Sequence, residues 1–238
     1  MHIPITRYGL PQVLIFPALI TALMAALFIV LPQGIGLVAA EAALFIVLVW
    51  MLMFFRDPPR KIPLDERVLL SPADGTVTDI SEVDSPGLEP SAEAENTGSP
   101  PAGKALRIGL FLSIFSVHIN RMPCSVRVES VRYKKGLFKN AMSGESGRVN
   151  ESNEVLMSRL VAPADRLLVR QVSGAIARRI VCEAKPEQEY AQGAAFGMIK
   201  FGSRTELYLP LHDGKYDIAV KIGDKVNAGL SPLIVYKL

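Results

Sequence analysis

The chain has 238 residues, enough for one globular domain with an appendage. Half of the residues are hydrophobic, and 26 Lys and Arg against 23 Asp and Glu leave a formal net charge of +3. That mild balance, with no aromatic-interleaved basic stretch, excludes a nucleic-acid module. Two cysteines, Cys124 and Cys182, are too few for a disulfide framework and lack metal-ligand spacing, so no metal is expected.

The apolar excess sits at the N-terminus. Val13 to Leu31 reads VLIFPALITALMAALFIVL, 19 residues without a charge. After PQGIG, Leu37 to Phe55 is apolar again apart from Glu41. At about 1.5 Å per residue, such a span reaches roughly 28 Å, close to the hydrocarbon thickness of a bilayer. Two spans joined by a Pro/Gly turn predict a helical membrane hairpin over residues 1–55, with both ends on one side. Arg7 before it and Arg56, Arg60, Lys61 and Arg67 after it assign that side to the cytoplasm. A cleaved secretory signal is disfavoured, because the n-region holds one Arg and a second apolar stretch follows directly. A shallow re-entrant hairpin accommodates Pro17 and Glu41 as well as a spanning one does.

FFRDPPRKIP then breaks the chain into aqueous structure. VLLSPADGTVTDI reads as strand, Asp-Gly turn, strand. Residues 84–104, DSPGLEPSAEAENTGSPPAGK, cannot build a core and read as an exposed, mobile loop. Leu106 to Phe115 predicts a buried strand, and SVRVESVRYKKG alternates as a half-buried one. LLVRQVSGAIARRIVCEA gives two short runs, and GAAFGMIKFGSRTELYLP a Gly-rich lead-in with a strand after Ser203. The tail YDIAVKIGDKVNAGLSPLIVYKL predicts strand, turn, strand, turn, strand. Arg127, Arg132, Lys134 and Lys135, and the pair Arg178 and Arg179, form basic clusters: ordinary solvated faces, or surfaces that favour an anionic membrane. The fold class is a mainly β (α+β) domain over residues 56–238, with a lipoyl or barrel-sandwich-like C-terminal hairpin region, behind the N-terminal helical membrane hairpin.

The candidate chemistry centres on FGSR at 201–204. A Gly-Ser pair between strands is most often a turn, and Asp74 in SPADG sits where a type I turn favours Asp. His2 lies at the terminus and His212 in a predicted turn, which leaves His118 as the best candidate base. The residues alone leave open a membrane-anchored lipoyl-like adaptor or structural protein with an intact Gly202–Ser203 bond. They also leave open a serine hydrolase using Asp74, His118 and Ser203, although no G-x-S-x-G elbow is present.

Five motifs in one order narrow this choice: FFRDPPRKIP, SPADG at 71–75, FSVHINRMP at 115–123, KFGSRTELYLP at 200–210 and VKIGDKVNAG at 220–229. The set resembles the phosphatidylserine decarboxylase proenzymes, in particular the short, membrane-anchored bacterial type, from Phe54 to Leu238. The resemblance implies self-cleavage between Gly202 and Ser203, with Asp74 and His118 activating the Ser203 hydroxyl. It implies conversion of Ser203 into a covalent pyruvoyl group, the only cofactor. That ketone forms a Schiff base with phosphatidylserine, which loses CO₂ to give phosphatidylethanolamine. The implied partners are phosphatidylserine in the membrane, chain 1–202 with chain 203–238, and a second copy in a homodimer. The implied location is the inner membrane, catalytic domain on the cytoplasmic side. One departure stands out. Many members carry a second His three residues after the first; this chain has Arg121 there, a candidate ligand for the headgroup phosphate or carboxylate.

Overall fold

The computed structural model describes residues 5–88, 103–139, 146–174, 179–200, 203–212 and 214–237. The chain divides into two units, residues 1–59 and 60–238.

In the first unit, α1 (Leu10–Val30) and α2 (Ile35–Phe54) take up the two apolar runs. The partly or fully buried positions recur in steps of four and three. They include Val13, Pro17, Ile20, Met24 and Leu27 in α1, and Leu37, Glu41, Leu44, Leu48 and Met51 in α2. This is the narrow seam of an antiparallel helix pair. The other faces expose large apolar side chains such as Leu14, Ile29, Val38 and Ile46. By length and composition, both helices suffice to cross a bilayer. The ends of the hairpin are pinned together, because Thr6 N–H donates to the Phe55 carbonyl at 2.8 Å and Ile5 bridges to Arg56. Both ends therefore emerge on one side, as the sequence predicts.

The second unit is almost wholly β. Its strands are β1 (Val68–Leu70), β2 (Gly75–Asp84), β3 (Lys104–Leu112), β4 (Ile119–Arg121), β5 (Val126–Lys134), β6 (Ser152–Arg159), β7 (Arg166–Ser173), β8 (Arg179–Cys182), β9 (Glu189–Tyr190), β10 (Ala195–Lys200), β11 (Ser203–Pro210), β12 (Tyr216–Ile218), β13 (Lys225–Val226) and β14 (Pro232–Tyr236). Among the described residues one short turn of helix, α3 (Ser146–Val149), interrupts them. Eight strands form one antiparallel sheet in the order β13-β2-β3-β11-β7-β6-β5-β9. Bulges at Val77/Asp79 and Val128/Ser130 bend it. Two three-stranded sheets, β1-β14-β12 and β4-β10-β8, complete the unit. The concave side packs Leu69, Ile108, Leu110, Val128, Met157, Val169, Phe196, Leu207 and Leu233 into one core. A smaller cluster of Leu88, Ala105, Leu168 and Tyr208 covers part of the other face.

The strand, turn and strand expected across VLLSPADGTVTDI are present as β1, residues 71–74 and β2, with β1 paired to β14 and β2 to β3. Gly75 lies so close to the Phe111 carbonyl that any Cβ would collide with it, which draws β2 onto β3. Three expectations need correction. The strand expected from Leu106 to Phe115 runs from Lys104 to Leu112, and residues 114–116 turn away from the sheet. The loop expected at 84–104 begins as ordered chain, for Leu88 is buried and its N–H donates to Ser85 Oγ at 3.2 Å; the remainder, 89–102, lies outside the described residues. The tail does alternate strand and turn, but its strands are shared between sheets: β13 pairs with β2, and β12 with β14. It is not a self-contained hairpin.

Candidate active site

Ser203 opens β11, the central strand of the large sheet. Its backbone lies between Leu112 at the end of β3 and Ser173 at the end of β7. Side chains alternate across a strand. Ser203, Thr205, Leu207 and Leu209 therefore share the core side, while Arg204, Glu206 and Tyr208 share the other. Ser203 is fully buried, and its Oγ has no hydrogen-bond partner among the described residues. The same holds for the Oγ of Ser173, directly across the ladder. Two adjacent buried hydroxyls in that condition are costly in a plain structural strand. Phe201 and Gly202 lie outside the described residues, so the geometry of the expected cleavage bond is not described.

A chain of buried amides leads to this spot. Asn153 Nδ2 donates to Gln171 Oε1 at 3.1 Å, Gln171 Nε2 to Asn120 Oδ1 at 2.8 Å, and Asn120 Nδ2 to Thr205 Oγ1 at 3.0 Å. Asn120 belongs to β4, which the Arg121 N–H ties to the Pro72 carbonyl at 3.0 Å. The segment SPADG, the segment HINR and the start of β11 thus meet at one end of the sheet.

His118 is fully buried just before β4, and its carbonyl accepts from Ile199 N–H. Its Nδ1 lies 2.9 Å from the Ser116 carbonyl, so Nδ1 carries the proton in the neutral ring and Nε2 holds the lone pair. The Asp74 carboxylate is engaged elsewhere. It takes a bidentate pair from Arg60, at 2.7 and 2.9 Å, and accepts the Ala228 N–H at 2.7 Å. Asp74, His118 and Ser203 lie toward one end of the sheet, and among the described residues no hydrogen bond is seen between them. Arg121 donates to the Gly193 carbonyl at 2.9 Å and its stem lies against Gly229. Lys200, at the end of β10, is buried, and that burial, with Arg179 opposite, pulls its pKa down.

Behind β11 runs a charged network that sequence reasoning missed. Arg204 pairs with Glu206 at 2.8 Å and with Asp79; Arg107 also meets Asp79, at 3.0 Å. Tyr208 donates to Glu206 at 2.6 Å, and Arg170 joins Tyr208 at 2.8 Å and Glu154 at 2.8 Å. Gly109 makes room, since a Cβ there would strike Arg204 and Asp79. Burial opposes ionisation of Asp79, but Arg204 and Arg107 prevail and hold its pKa below the usual value. The signal was present in the sequence as Arg204 and Glu206, two charges at alternate positions inside an apolar strand.

Cys124 and Cys182 are both free thiols, the first buried and the second partly so. Burial pushes the Cys124 thiol up to about 12 and raises that of Cys182 as well.

Comparison with known proteins bears directly on this site. The family model described as phosphatidylserine decarboxylase matches residues 47–233. The phosphatidylserine decarboxylase proenzyme of Rhodopirellula baltica is 37% identical over 237 residues, covering 99% of this chain and 89% of that protein. Proteins of the same name from Carboxydothermus hydrogenoformans and Pelagibacter ubique are 39% and 36% identical, covering 79% and 87% of this chain and 80% and 88% of their own lengths. Both the motif order in the sequence and the match along almost the whole chain lead to one assignment: the chain belongs to the phosphatidylserine decarboxylase family.

Proposed function

We propose that the chain is a self-processing decarboxylase that converts phosphatidylserine to phosphatidylethanolamine and CO₂, with a pyruvoyl group made from Ser203. The observation that carries this reading is the buried Ser203 Oγ, without a hydrogen-bond partner among the described residues, at the first position of the central strand. Leaving a buried serine hydroxyl without a partner is costly in a residue with a purely structural role. A serine that is consumed need not keep one.

Maturation balances without an external reagent other than water. The Ser203 hydroxyl attacks the Gly202 carbonyl carbon, and the amide becomes an ester with a free amine on residue 203. Loss of the Ser203 α-proton expels the carboxylate of chain 1–202 and leaves a dehydroalanine. Its imine tautomer takes up water and releases ammonia. The hydroxyl needs a base. In our reading His118 Nε2 accepts its proton, because Nδ1 is already committed to the Ser116 carbonyl. Asp74 takes part from the same end of the sheet, with Arg60 holding its carboxylate in place.

The residues present fit the group. It keeps the three carbons of Ser203 and replaces a buried hydroxyl that has no described hydrogen-bond partner. When formed, it supplies an electrophilic ketone that serves as an electron sink for loss of CO₂. The chain's own residues bind and exclude water. Leu112 and the core side of β11 shut out solvent, and the amide chain through Asn120 fixes β4 against Thr205. Arg121 is our candidate for the headgroup phosphate or carboxylate, in the place where many relatives have a second His. The hairpin in this reading lies in the inner membrane, with the basic flank and the catalytic unit on the cytoplasmic side.

The reading is tested by comparing wild-type and Ser203→Ala protein on a denaturing gel and in a phosphatidylserine turnover assay. Wild type yields two chains and releases CO₂; the variant stays full length and inactive. Turnover by an uncut Ser203→Ala chain overturns the proposal.

A further inference from the structure

The strand register brings two exposed apolar loops to the end of the sheet that holds Ser203. Ile114 and Phe115 follow directly from Leu112, the ladder partner of Ser203, and Phe115 is 68% exposed. Leu137 and Phe138 follow β5 on the other side. Leu137 is 57% exposed and bridges to Asn150, whose side chain donates to the carbonyl of Ser173, the other ladder partner of Ser203. From Leu112 to Leu137 the path crosses four strand spacings, about 19 Å at ~4.8 Å each, and the active-site end lies between them. Apolar tips paired on one rim in this way mark a candidate interaction surface.

The charges around these tips have one dominant sign. Lys134 and Lys135 precede Leu137, and Lys139 and Arg148 follow it, all exposed; Arg179 is exposed at the start of β8. Glu151, half-buried and bonded to Tyr133, lies beside them, and the buried Glu206 lies against Gly147, next to Arg148. Apolar tips ringed by lysine and arginine match the interfacial zone of an anionic bilayer, where apolar groups enter the headgroup boundary and cations meet lipid phosphates and carboxylates. A protein partner would select an apolar patch with a rim of mixed sign. The chain also carries two helices long and apolar enough to cross a bilayer.

We propose that this rim is a membrane-docking face, in which Ile114, Phe115, Leu137 and Phe138 enter the interfacial zone of an anionic bilayer while Lys134 and Lys135 hold its headgroups. The consequence is geometric. Phe115 lies three residues from His118, so docking sets the buried site at headgroup level and lets a diacyl lipid present its polar end without leaving the membrane. The inference goes beyond the decarboxylase reading and stands whether or not Ser203 is processed.

The test uses the full chain in liposomes of phosphatidylcholine and phosphatidylglycerol, in a Ser203→Ala background, so that neither processing nor turnover enters the readout. Nitroxide labels are placed on Phe115→Cys, on Leu137→Cys and on Leu160→Cys, with both native cysteines replaced by alanine. Leu160 is exposed in the β6–β7 turn at the opposite end of the same strands. Labels at 115 and 137 are expected to be relaxed by oxygen in preference to an aqueous nickel chelate, and the label at 160 by the chelate. Replacing Lys134 and Lys135 with Glu should weaken the membrane signature at 115 by about fivefold per charge, an effect that fades in high salt. Chelate-accessible labels at 115 and 137, matching 160, overturn the proposal. Labels shielded from both reagents report a protein partner and overturn it equally.

Discussion

Ser203, the proposed pyruvoyl precursor, and the buried Arg60–Asp74 pair place the proposed chemistry and the risk to stability in a few side chains. Arg60 and Asp74 are both largely buried, with side chains 6% and 11% exposed. Removing either partner leaves the other charge inside the protein. Arg60→Met is therefore expected to lower stability by about 3 kcal/mol and Asp74→Leu by a similar amount, read by denaturant unfolding in detergent. A double substitution should recover part of the loss. If Asp74→Leu leaves stability untouched, the pair is not the clamp described here. Cys124, with its thiol pushed up to about 12, should resist alkylation at neutral pH until the protein unfolds. Ser203, His118 and Asp74 were all named from the sequence because motif order carried them. Arg60 was read only as a positive flank, because nothing local to FFRDPPRKIP indicates a carboxylate 14 residues away in SPADG.

Among the elements, β11 and β4 matter most, since between them they hold Ser203 and present His118. The amide chain from Asn153 to Thr205 joins four strands by side chains alone. Asn120→Ala removes the donor to Thr205 and the acceptor for Gln171. It is expected to cost about 1–3 kcal/mol and to slow self-cleavage, both measurable by unfolding and by the time course of chain separation. The network behind β11 predicts a pH effect. The folded pKa of Asp79 lies below its ordinary 3.8, so its contribution is complete above that value and is lost as pH falls through the folded pKa. Melting temperature should drop steeply in that acid range, and Asp79→Asn should flatten the drop while lowering stability at neutral pH. Strand alternation made β5 legible, and the run after the Gly-rich lead-in and Ser203 made β11 so. Which strand each one meets was not legible, because partners such as β2 with β13 are distant in sequence and a register is not written in either strand.

At the scale of the whole molecule, the helical unit and the β unit follow different solvents. The helices were legible because runs of that length and apolarity have few alternatives. Residues 60–238 contain both apolar clusters of the β unit, so a chain beginning at Arg60 is expected to fold cooperatively with a β-type circular dichroism spectrum. The same truncation should lose most turnover of phosphatidylserine in bilayers, since tethering supplies effective concentration. The most direct measurement is the intact mass of purified, active full-length protein. The account requires two chains, the smaller spanning residues 203–238 and lighter than its unmodified sequence by the mass of one ammonia. Active protein that weighs as a single uncut chain, or a small chain that keeps its serine amine, contradicts it.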